Sequence, residues 1–195
     1  MTFSAVAIVE GDGEVAALPI LLRRLSDWKS PGTSVHSPPP IRVKKDRFLN
    51  RAEEFDRYLK LAAGKCGTNG WVLILLDADD SCPAERGREI LERAKKCIPH
   101  RRISVVLANR EYEAWFIASA HSLNGKRGFR CETNEVVDAE RPRNAKGWIK
   151  DRMESKNYSE IIDQPAFTAS MDLQQAHEKS RSFRKFCSEW EKHCT

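Results

Sequence analysis

The chain has 195 residues, of which 31% are charged and 41% are hydrophobic, and its formal net charge is +5. This composition is typical of a folded globular protein and argues against a disordered one. No apolar run reaches the roughly 20 residues that a membrane-spanning helix needs, and the first residues lack the features of a secretory signal. We therefore expect a cytoplasmic protein without a membrane partner, whose six cysteines are reduced thiols.

The first stretch of the chain predicts a strand followed by a helix. Residues 5–9 form a short apolar run bounded by glycine, which is typical of a strand buried on both faces of a parallel sheet. Asp12 is in position to cap the next helix, whose apolar residues recur at spacings of three and four. Glu10 then lies at the carboxyl end of the strand, where open α/β sheets bind ligands.

Two further buried strands are predicted at residues 71–76 and 103–108, and a short one at residues 41–45. Residues 51–66 have helical periodicity, as do the segments that follow the two buried strands. Residues 29–40 are rich in proline and glycine and predict a loop. Because strands alternate with helices, the pattern predicts right-handed crossovers and a parallel sheet, and the fold class is α/β.

The pattern changes after residue 120. A polar, irregular segment comes first, and three helices are then predicted at residues 148–153, 171–178 and 181–192. This part carries too few apolar residues for a core of its own. We therefore expect an α/β domain at residues 1–120 and a helical extension at residues 121–195 that packs on it.

Acidic residues follow the predicted strands. Glu10 ends the first, Asp77 and Asp79 follow the second, and Glu113 lies beyond the third. Because the carboxyl ends of parallel strands meet at one edge of a sheet, we expect these side chains to lie close together. Two carboxylates about 4 Å apart repel by about 4 kcal/mol at an effective dielectric constant of 20, so such a cluster needs a cation or a proton. Carboxylate oxygens favour Mg²⁺ or Mn²⁺.

Each of these acids also has a simpler interpretation. Glu10 and Asp77 can end strands or cap helices, and Asp80 can start the next helix. Glu14 suits the first turn of a helix, and Glu113 can be a solvent-exposed helix residue. No lysine or other base is placed by a motif beside the acids.

Two other classes of phosphate-handling protein share parts of this pattern. An aspartyl-phosphate receiver domain needs a paired acidic turn after its first strand and a lysine at the end of a late strand. The turn is incomplete here, and no such lysine is found. Residues 71–80 look like the Walker B strand of a P-loop ATPase, but the chain has no G-x-x-x-x-G-K-[ST] motif, so we expect no ATP hydrolysis by this chain alone.

The acidic strand ends resemble the Toprim domain of topoisomerases, primases and several nucleases. The resemblance lies in one hydrophobic strand ending in Glu10-Gly11 and a second ending in Asp77-x-Asp79. The longer segment IVEGDGEVAALP is similar to the OLD (overcoming lysogenization defect) branch. The segments GDGEVAALPILLRRL, LLDADD, REYEAWFIAS and SRSF resemble, more closely still, an uncharacterised bacterial Toprim-like family, a domain of unknown function found beside AAA-type ATPases in defence loci.

The resemblance implies metal-dependent phosphodiester chemistry. Asp77 and Asp79 would hold Mg²⁺ or Mn²⁺, and Glu10 would be a metal ligand or a general acid/base, so these three are the candidate catalytic residues. Glu14 and Glu113 would help to hold a second ion, which leaves one or two ions as alternatives. The negative charge of the transition state would then be balanced by the metals or by an arginine of a partner.

Three basic segments, at residues 44–47, 141–146 and 181–185, are candidates for binding a nucleic-acid backbone, although solvated faces are the simpler interpretation. The candidate residues in the first two are Lys44, Lys45, Arg47, Arg141, Arg143 and Lys146. The leading hypothesis is a Mg²⁺-dependent nuclease, cutting DNA or RNA, that acts as the effector subunit of an AAA-type ATPase in anti-phage defence. The alternative is a non-catalytic Toprim-like binding module that docks on the ATPase.

Overall fold

A computed structural model describes residues 2–194 of the chain. Its first part contains β1 (Thr2–Val9), α1 (Asp12–Lys29), β2 (Ser34–His36), β3 (Ile41–Arg42), α2 (Lys45–Asn50), α3 (Ala52–Cys66), β4 (Trp71–Asp77), α4 (Pro83–Cys97) and β5 (Arg102–Ala108). Helices then follow, at α5 (Ala114–Ala118), α6 (Ala120–Leu123), a 3₁₀ turn (Lys126–Gly128), α7 (Ala145–Arg152), α8 (Asp163–Ser170), α9 (Leu173–Lys179) and α10 (Arg181–Cys194).

The five strands form one parallel sheet. Strands β2, β1, β4 and β5 lie side by side in that order. Strand β2 pairs with the first residues of β1, and β3 pairs with its last two, Ile8 and Val9. In the register, Ala5 of β1 lies opposite Trp71 of β4, and Trp71 lies opposite Arg102 of β5. The structure therefore confirms an α/β fold in which the strands share one direction and their carboxyl ends lie at one edge.

Side chains alternate between two hydrophobic cores, one on each face of the sheet. In β4 the odd-numbered residues from Trp71 to Leu75 face the first core, and the even-numbered residues from Val72 to Leu76 face the second. Helices α2, α3 and α4 cover the second core. Helix α1 and all the helices after β5 cover the first, so the C-terminal helices share their core with the sheet. Each large apolar side chain buried in this way contributes roughly 1.5–3 kcal/mol.

Helix α10 is joined to the rest of the molecule by buried polar contacts as well as by apolar ones. Ser104 of β5 donates to Glu189, and Nε2 of His193 lies 3.0 Å from the same hydroxyl. Trp190 Nε1 donates to Ser30 Oγ, just after α1, at 3.0 Å. These bonds satisfy polar groups that the packing removes from water.

Some local predictions were wrong. Gly11, rather than Asp12, is the N-cap of α1 and makes no side-chain cap, while Asp12 pairs with Arg42 at 3.3 Å. Strand β2 lies within the predicted loop, and α8 lies in a segment without a predicted helix. The three predicted C-terminal helices are present as α7, α9 and α10, and the side chain of Asp172 caps α9. None of the helices formed by residues 2–194 is long and apolar enough to cross a membrane.

Candidate functional site

Glu10 follows β1 and begins the acidic edge of the sheet. Its Oε2 atom lies 3.5 Å from Nζ of Lys45 and has no hydrogen-bond partner. Burial raises the pKa of the Glu10 carboxyl, although Lys45 opposes the shift. A larger residue at the next position would displace Glu14, because a Cβ at Gly11 would stand 2.4 Å from its Oε2. The glycine therefore allows the carboxylate of Glu14 to fold back against the turn that carries Glu10.

Asp77 and Asp79 lie at the end of β4 in different environments. Asp77 is the last residue of the strand, and its Oδ1 accepts a hydrogen bond of 2.8 Å from the backbone N–H of Tyr112. Burial raises the pKa of Asp77 well above its ordinary value, and the charges of Glu113 and Glu14 raise it further. Asp79 has a positive φ of 49° and an exposed side chain. The two aspartates therefore present one inward and one solvent-facing carboxylate.

Lys45, at the start of α2, lies among these acids. Its Nζ donates to the backbone oxygen of Asp77 at 3.0 Å and pairs with the carboxylates of Glu10 and Asp79. Although burial lowers the pKa of Lys45, Asp79 and Glu10 raise it above its ordinary value. No motif had placed a lysine beside the acids, and the structure brings Lys45 there. The sequence marked Lys45 as a backbone-binding residue, and the structure places its ammonium within the acidic cluster.

Glu113 and Glu14 are buried beside Asp77. Glu113 is the N-cap of α5 and is 0% exposed, which excludes the solvent-exposed alternative. Its Oε1 accepts hydrogen bonds from Tyr158 Oη at 2.9 Å and from Gln164 Nε2 at 3.4 Å, while its Oε2 has no partner. Burial raises the pKa of Glu113 to about 8 and also raises that of Glu14, whose Oε2 has no partner either.

Lys146 supplies a second ammonium to the same cluster. Burial lowers its pKa, but the charges of Glu113 and Asp77 hold it above the ordinary value. Its positive charge lowers the pKa of Glu10, Glu14, Asp77 and Glu113, against the raising effect of burial on each. The charge of Lys146 therefore reaches all four acids. Lys146 also pairs with Glu160 at 3.2 Å.

The other predicted nucleic-acid residues lie outside this cluster. Lys44, Arg141 and Arg143 are exposed, and Arg47 is bound to Glu54 through Nε at 2.9 Å and through Nη2. A small cavity of about 190 Å³ opens beside the acids, between the ends of β4 and β5 and the start of α2. Its polar lining includes Lys45, Asp46, Asn50, Asp77, Asp79, Ser81 and Arg86.

Three members of the site carried no sequence signal. Tyr158 and Gln164 come from the irregular segment before α8 and from its first turn, where no apolar periodicity points to a structure. Gln164 also packs against the first turn of α1, since a Cβ at Gly13 would stand 1.9 Å from its Oε1. The backbone N–H of Tyr112, which binds Asp77, could not be inferred from side-chain patterns.

The donor chemistry of the cluster suits a hard divalent ion, because carboxylate oxygens are the ligands that Mg²⁺ and Mn²⁺ prefer and three of them are buried without hydrogen-bond partners. As placed, however, no three Asp, Glu, His or Cys side chains in residues 2–194 are arranged to hold a metal ion. The negative charge is instead balanced by Lys45 and Lys146 and by a proton on Glu113, whose pKa burial raises to about 8. Metal binding would therefore require side-chain movement and the release of protons.

Comparison with known protein families identifies a match over most of the chain. The family model described as Domain of unknown function (DUF4276) matches residues 9–191, a span that contains every acid of the site. No curated protein matches the chain. No solved structure matches it either.

Proposed function

We propose that this chain, which belongs to the DUF4276 family, is a nuclease that uses Mg²⁺ or Mn²⁺ to hydrolyse phosphodiester bonds in DNA or RNA. The proposal includes a cytoplasmic location and a role as the effector subunit of an AAA-type ATPase in bacterial anti-phage defence. The acids at the strand ends and the likeness of their motifs to Toprim and OLD nucleases support it. Residues 9–191, which match the family model, extend from the end of β1 into α10.

The observation that carries the proposal is the burial of several carboxylates with unpartnered oxygens. Oε2 of Glu14 and Oε2 of Glu113 are both buried without a hydrogen bond, and both residues lie beside Asp77. A buried polar atom without a partner costs roughly 1–3 kcal/mol, and more if it is charged. A fold tolerates this cost more readily where the atoms serve a ligand, and a divalent cation is the ligand that several carboxylates favour.

Each acid would have its own role in metal binding or proton transfer. Asp77, Asp79 and Glu10 would hold one ion, and Glu14 and Glu113 would complete a second site. A bound divalent ion would supply Lewis-acid polarisation of the phosphate and lower the pKa of a bound water. Glu10 would move the proton during attack, and burial, which raises the pKa of its carboxyl, makes it a better proton carrier than an exposed glutamate.

The lysines would act on the substrate rather than on the ion. Lys45 already contacts three groups of the cluster, so its ammonium is placed to balance charge on a phosphate that enters the 190 Å³ cavity. Lys146 would balance the negative charge of the buried acids Glu113 and Asp77. The exposed Lys44, Arg141 and Arg143 would contact the nucleic-acid backbone.

The first test is calorimetric titration of the purified chain with Mn²⁺. Asp77→Asn should lower the Mn²⁺ affinity at least tenfold, because it removes the inward carboxylate of β4. Asp27→Asn is the control, since Asp27 is an exposed aspartate near the carboxyl end of α1. Equal affinity of the wild type and Asp77→Asn would remove the acidic site from the proposal.

The second test measures cleavage of DNA and RNA, with and without Mn²⁺ or Mg²⁺, by the chain alone and together with its ATPase. Glu10→Gln should lower cleavage by at least the roughly 10²-fold typical of a lost general acid/base while leaving the fold intact. Unchanged turnover in this variant would exclude a chemical role for Glu10.

A second candidate function is a non-catalytic binding module that docks on the ATPase. The observation that favours it is that Lys45 and Lys146 already neutralise the acids and that the described residues contain no preformed metal site. This candidate expects no Mn²⁺ binding and no cleavage, but complex formation with the ATPase that survives Asp77→Asn.

A further inference from the structure

A second, larger cavity lies on the free edge of the sheet. It has a volume of about 580 Å³ and is enclosed by the start of α4, by β5 and by the first turns of α10. Its floor is apolar and is formed by Leu91, Val105 and Leu107, with Gly87 beside them. The volume falls within the roughly 300–1,000 Å³ of small-molecule sites in proteins. The residues around it include none of the five acids of the candidate active site.

The rim of this cavity is cationic. Arg88, Arg181 and Lys185 lie around it, and the side chains of Arg181 and Lys185 are 78% and 53% exposed. The Lys185 ammonium also pairs with Glu189 of its own helix, outside the cavity lining. Glu140 is the one acid among the described lining residues. The rim therefore has a formal charge of +2 over an apolar floor, an arrangement suited to a molecule with an anionic group and a flat apolar body.

The carboxylate of Glu140 already accepts hydrogen bonds from the rim groups that could bind an anion. It accepts hydrogen bonds from the Arg181 backbone N–H at 2.9 Å and from Asn109 Nδ2 at 2.9 Å, and it pairs with the Arg181 guanidinium at 3.3 Å. Glu140 belongs to the irregular stretch between the 3₁₀ turn and α7, so no helix or strand fixes its position. A phosphate has the same acceptor chemistry with more charge, and it would gain Arg88 and Lys185 as well.

We infer that this cavity binds a phosphorylated nucleoside. The phosphate takes the place of the Glu140 carboxylate on Asn109 and Arg181, and Glu140 turns out to solvent. The base lies on the floor formed by Leu91, Val105 and Leu107. The same chemistry comes from a free mononucleotide or from the phosphorylated end of a strand, and the inference does not depend on metal binding or cleavage at the acidic site.

The experiment is calorimetric titration of the full chain in EDTA with AMP, inorganic phosphate and adenosine. AMP should bind, and phosphate or adenosine alone should bind at least tenfold more weakly, because each supplies only part of the contacts. Gly87→Leu should abolish AMP binding, since Gly87 has only Leu107 Cγ, at 4.0 Å, near its missing Cβ, and a larger side chain would fill the cavity. Gly64→Leu, in α3 with open space around it, is the matched control for a helical glycine and should bind AMP normally.

Charge variants test the rim. Arg88→Gln should weaken AMP binding about tenfold, whereas Arg23→Gln, which removes an exposed arginine from α1, should not change it. Glu140→Gln should tighten AMP binding at least threefold because the competing carboxylate loses its charge. If Arg88→Gln and Arg23→Gln weaken binding equally, the effect is general charge attraction and the inference fails. If Glu140→Gln weakens binding or leaves it unchanged, the displacement of Glu140 is wrong.

Protection of Cys82 from alkylation tests whether the ligand binds in this cavity. Cys82 lines the cavity and is the one exposed cysteine among the six. Saturating AMP should slow its alkylation by iodoacetamide at least fivefold, read by mass spectrometry of the Cys82 peptide. A parallel titration with a 5′-phosphorylated tetranucleotide distinguishes the two sources. If the cavity binds strand ends, the tetranucleotide should bind more tightly than AMP, and if it binds free nucleotides, AMP should bind more tightly. Failure of both probes to bind, or binding that leaves Cys82 unprotected, would overturn the inference.

Discussion

Replacement of Glu113 by glutamine should stabilise the metal-free protein, and the gain should grow with pH. Glu113 is completely buried, and burial raises its pKa from the ordinary 4.5 to about 8. When the pKa of a carboxyl is higher in the folded state than in the unfolded state, the group has no effect on stability below the pKa of the unfolded state. As pH rises from there towards the pKa of the folded state, the group destabilises the fold, because it ionises in the unfolded chain but not in the folded one. Glutamine has no proton to lose and keeps an oxygen for Tyr158 Oη.

The size of the effect follows from the two pKa values. One unit of pKa corresponds to about 1.4 kcal/mol, so the penalty that Glu113→Gln removes is about 1 kcal/mol at pH 5, about 3 kcal/mol at pH 7 and about 4 kcal/mol at pH 8. Urea unfolding in EDTA at these three pH values measures it. Saturating Mn²⁺ should then raise the unfolding midpoint of the wild type more than that of the variant. A gain that does not change with pH, or a loss of stability at pH 8, would refute the assignment of Glu113 as a buried, costly acid.

Three further changes test other parts of the structure. Tyr158→Phe removes a donor from the buried Oε1 of Glu113 and should destabilise the fold by about 1–3 kcal/mol in urea unfolding, and an unchanged midpoint would contradict the contact. Burial lowers the pKa of His193 below 6.5 despite the opposing charge of a nearby glutamate, so stability should be full above pH 6.5 and fall as pH drops below it. His193→Gln should flatten this dependence, and an equal slope in both proteins would show another group to be responsible. Gly11→Ala should reduce Mn²⁺ affinity at least tenfold, because its Cβ would collide with Oε2 of Glu14; calorimetry that finds wild-type affinity would exclude Glu14 as a ligand.

The sequence was most informative where burial and periodicity coincide. Strands β1, β4 and β5 were predicted because each is a nearly continuous apolar run, and their acids were placed correctly at one edge of the sheet. Helix α8 was missed because three of its four buried residues are polar, namely Asp163, Gln164 and Thr168, so no apolar stripe marks it. Strand β2 has only three residues and none is buried, which leaves it without an alternating pattern.

The composition of the site was harder to predict than its position. The sequence placed Glu10, Asp77 and Asp79 from local patterns, because each lies next to a strand end. It could not place Lys45 among them, since that contact spans 32 residues to Asp77 and depends on how α2 turns back over the sheet. The position of Lys146 near the acids could not be predicted either, because it reaches them from the start of α7. Long-range packing, which local periodicity does not encode, therefore decides which cations meet the acids.

The bond between Trp190 and Ser30 has a consequence for biosynthesis, because it joins groups 160 residues apart in the chain. Ribosomes add roughly 5–20 residues per second, so on the order of ten seconds or more separates the translation of the two partners. During that interval the face of β1 and β4 that α10 later covers is without its final cover, and apolar strands left open in this way are prone to aggregation. Docking of α10, the last helix to be made, therefore closes this apolar face only after synthesis of the chain is nearly complete.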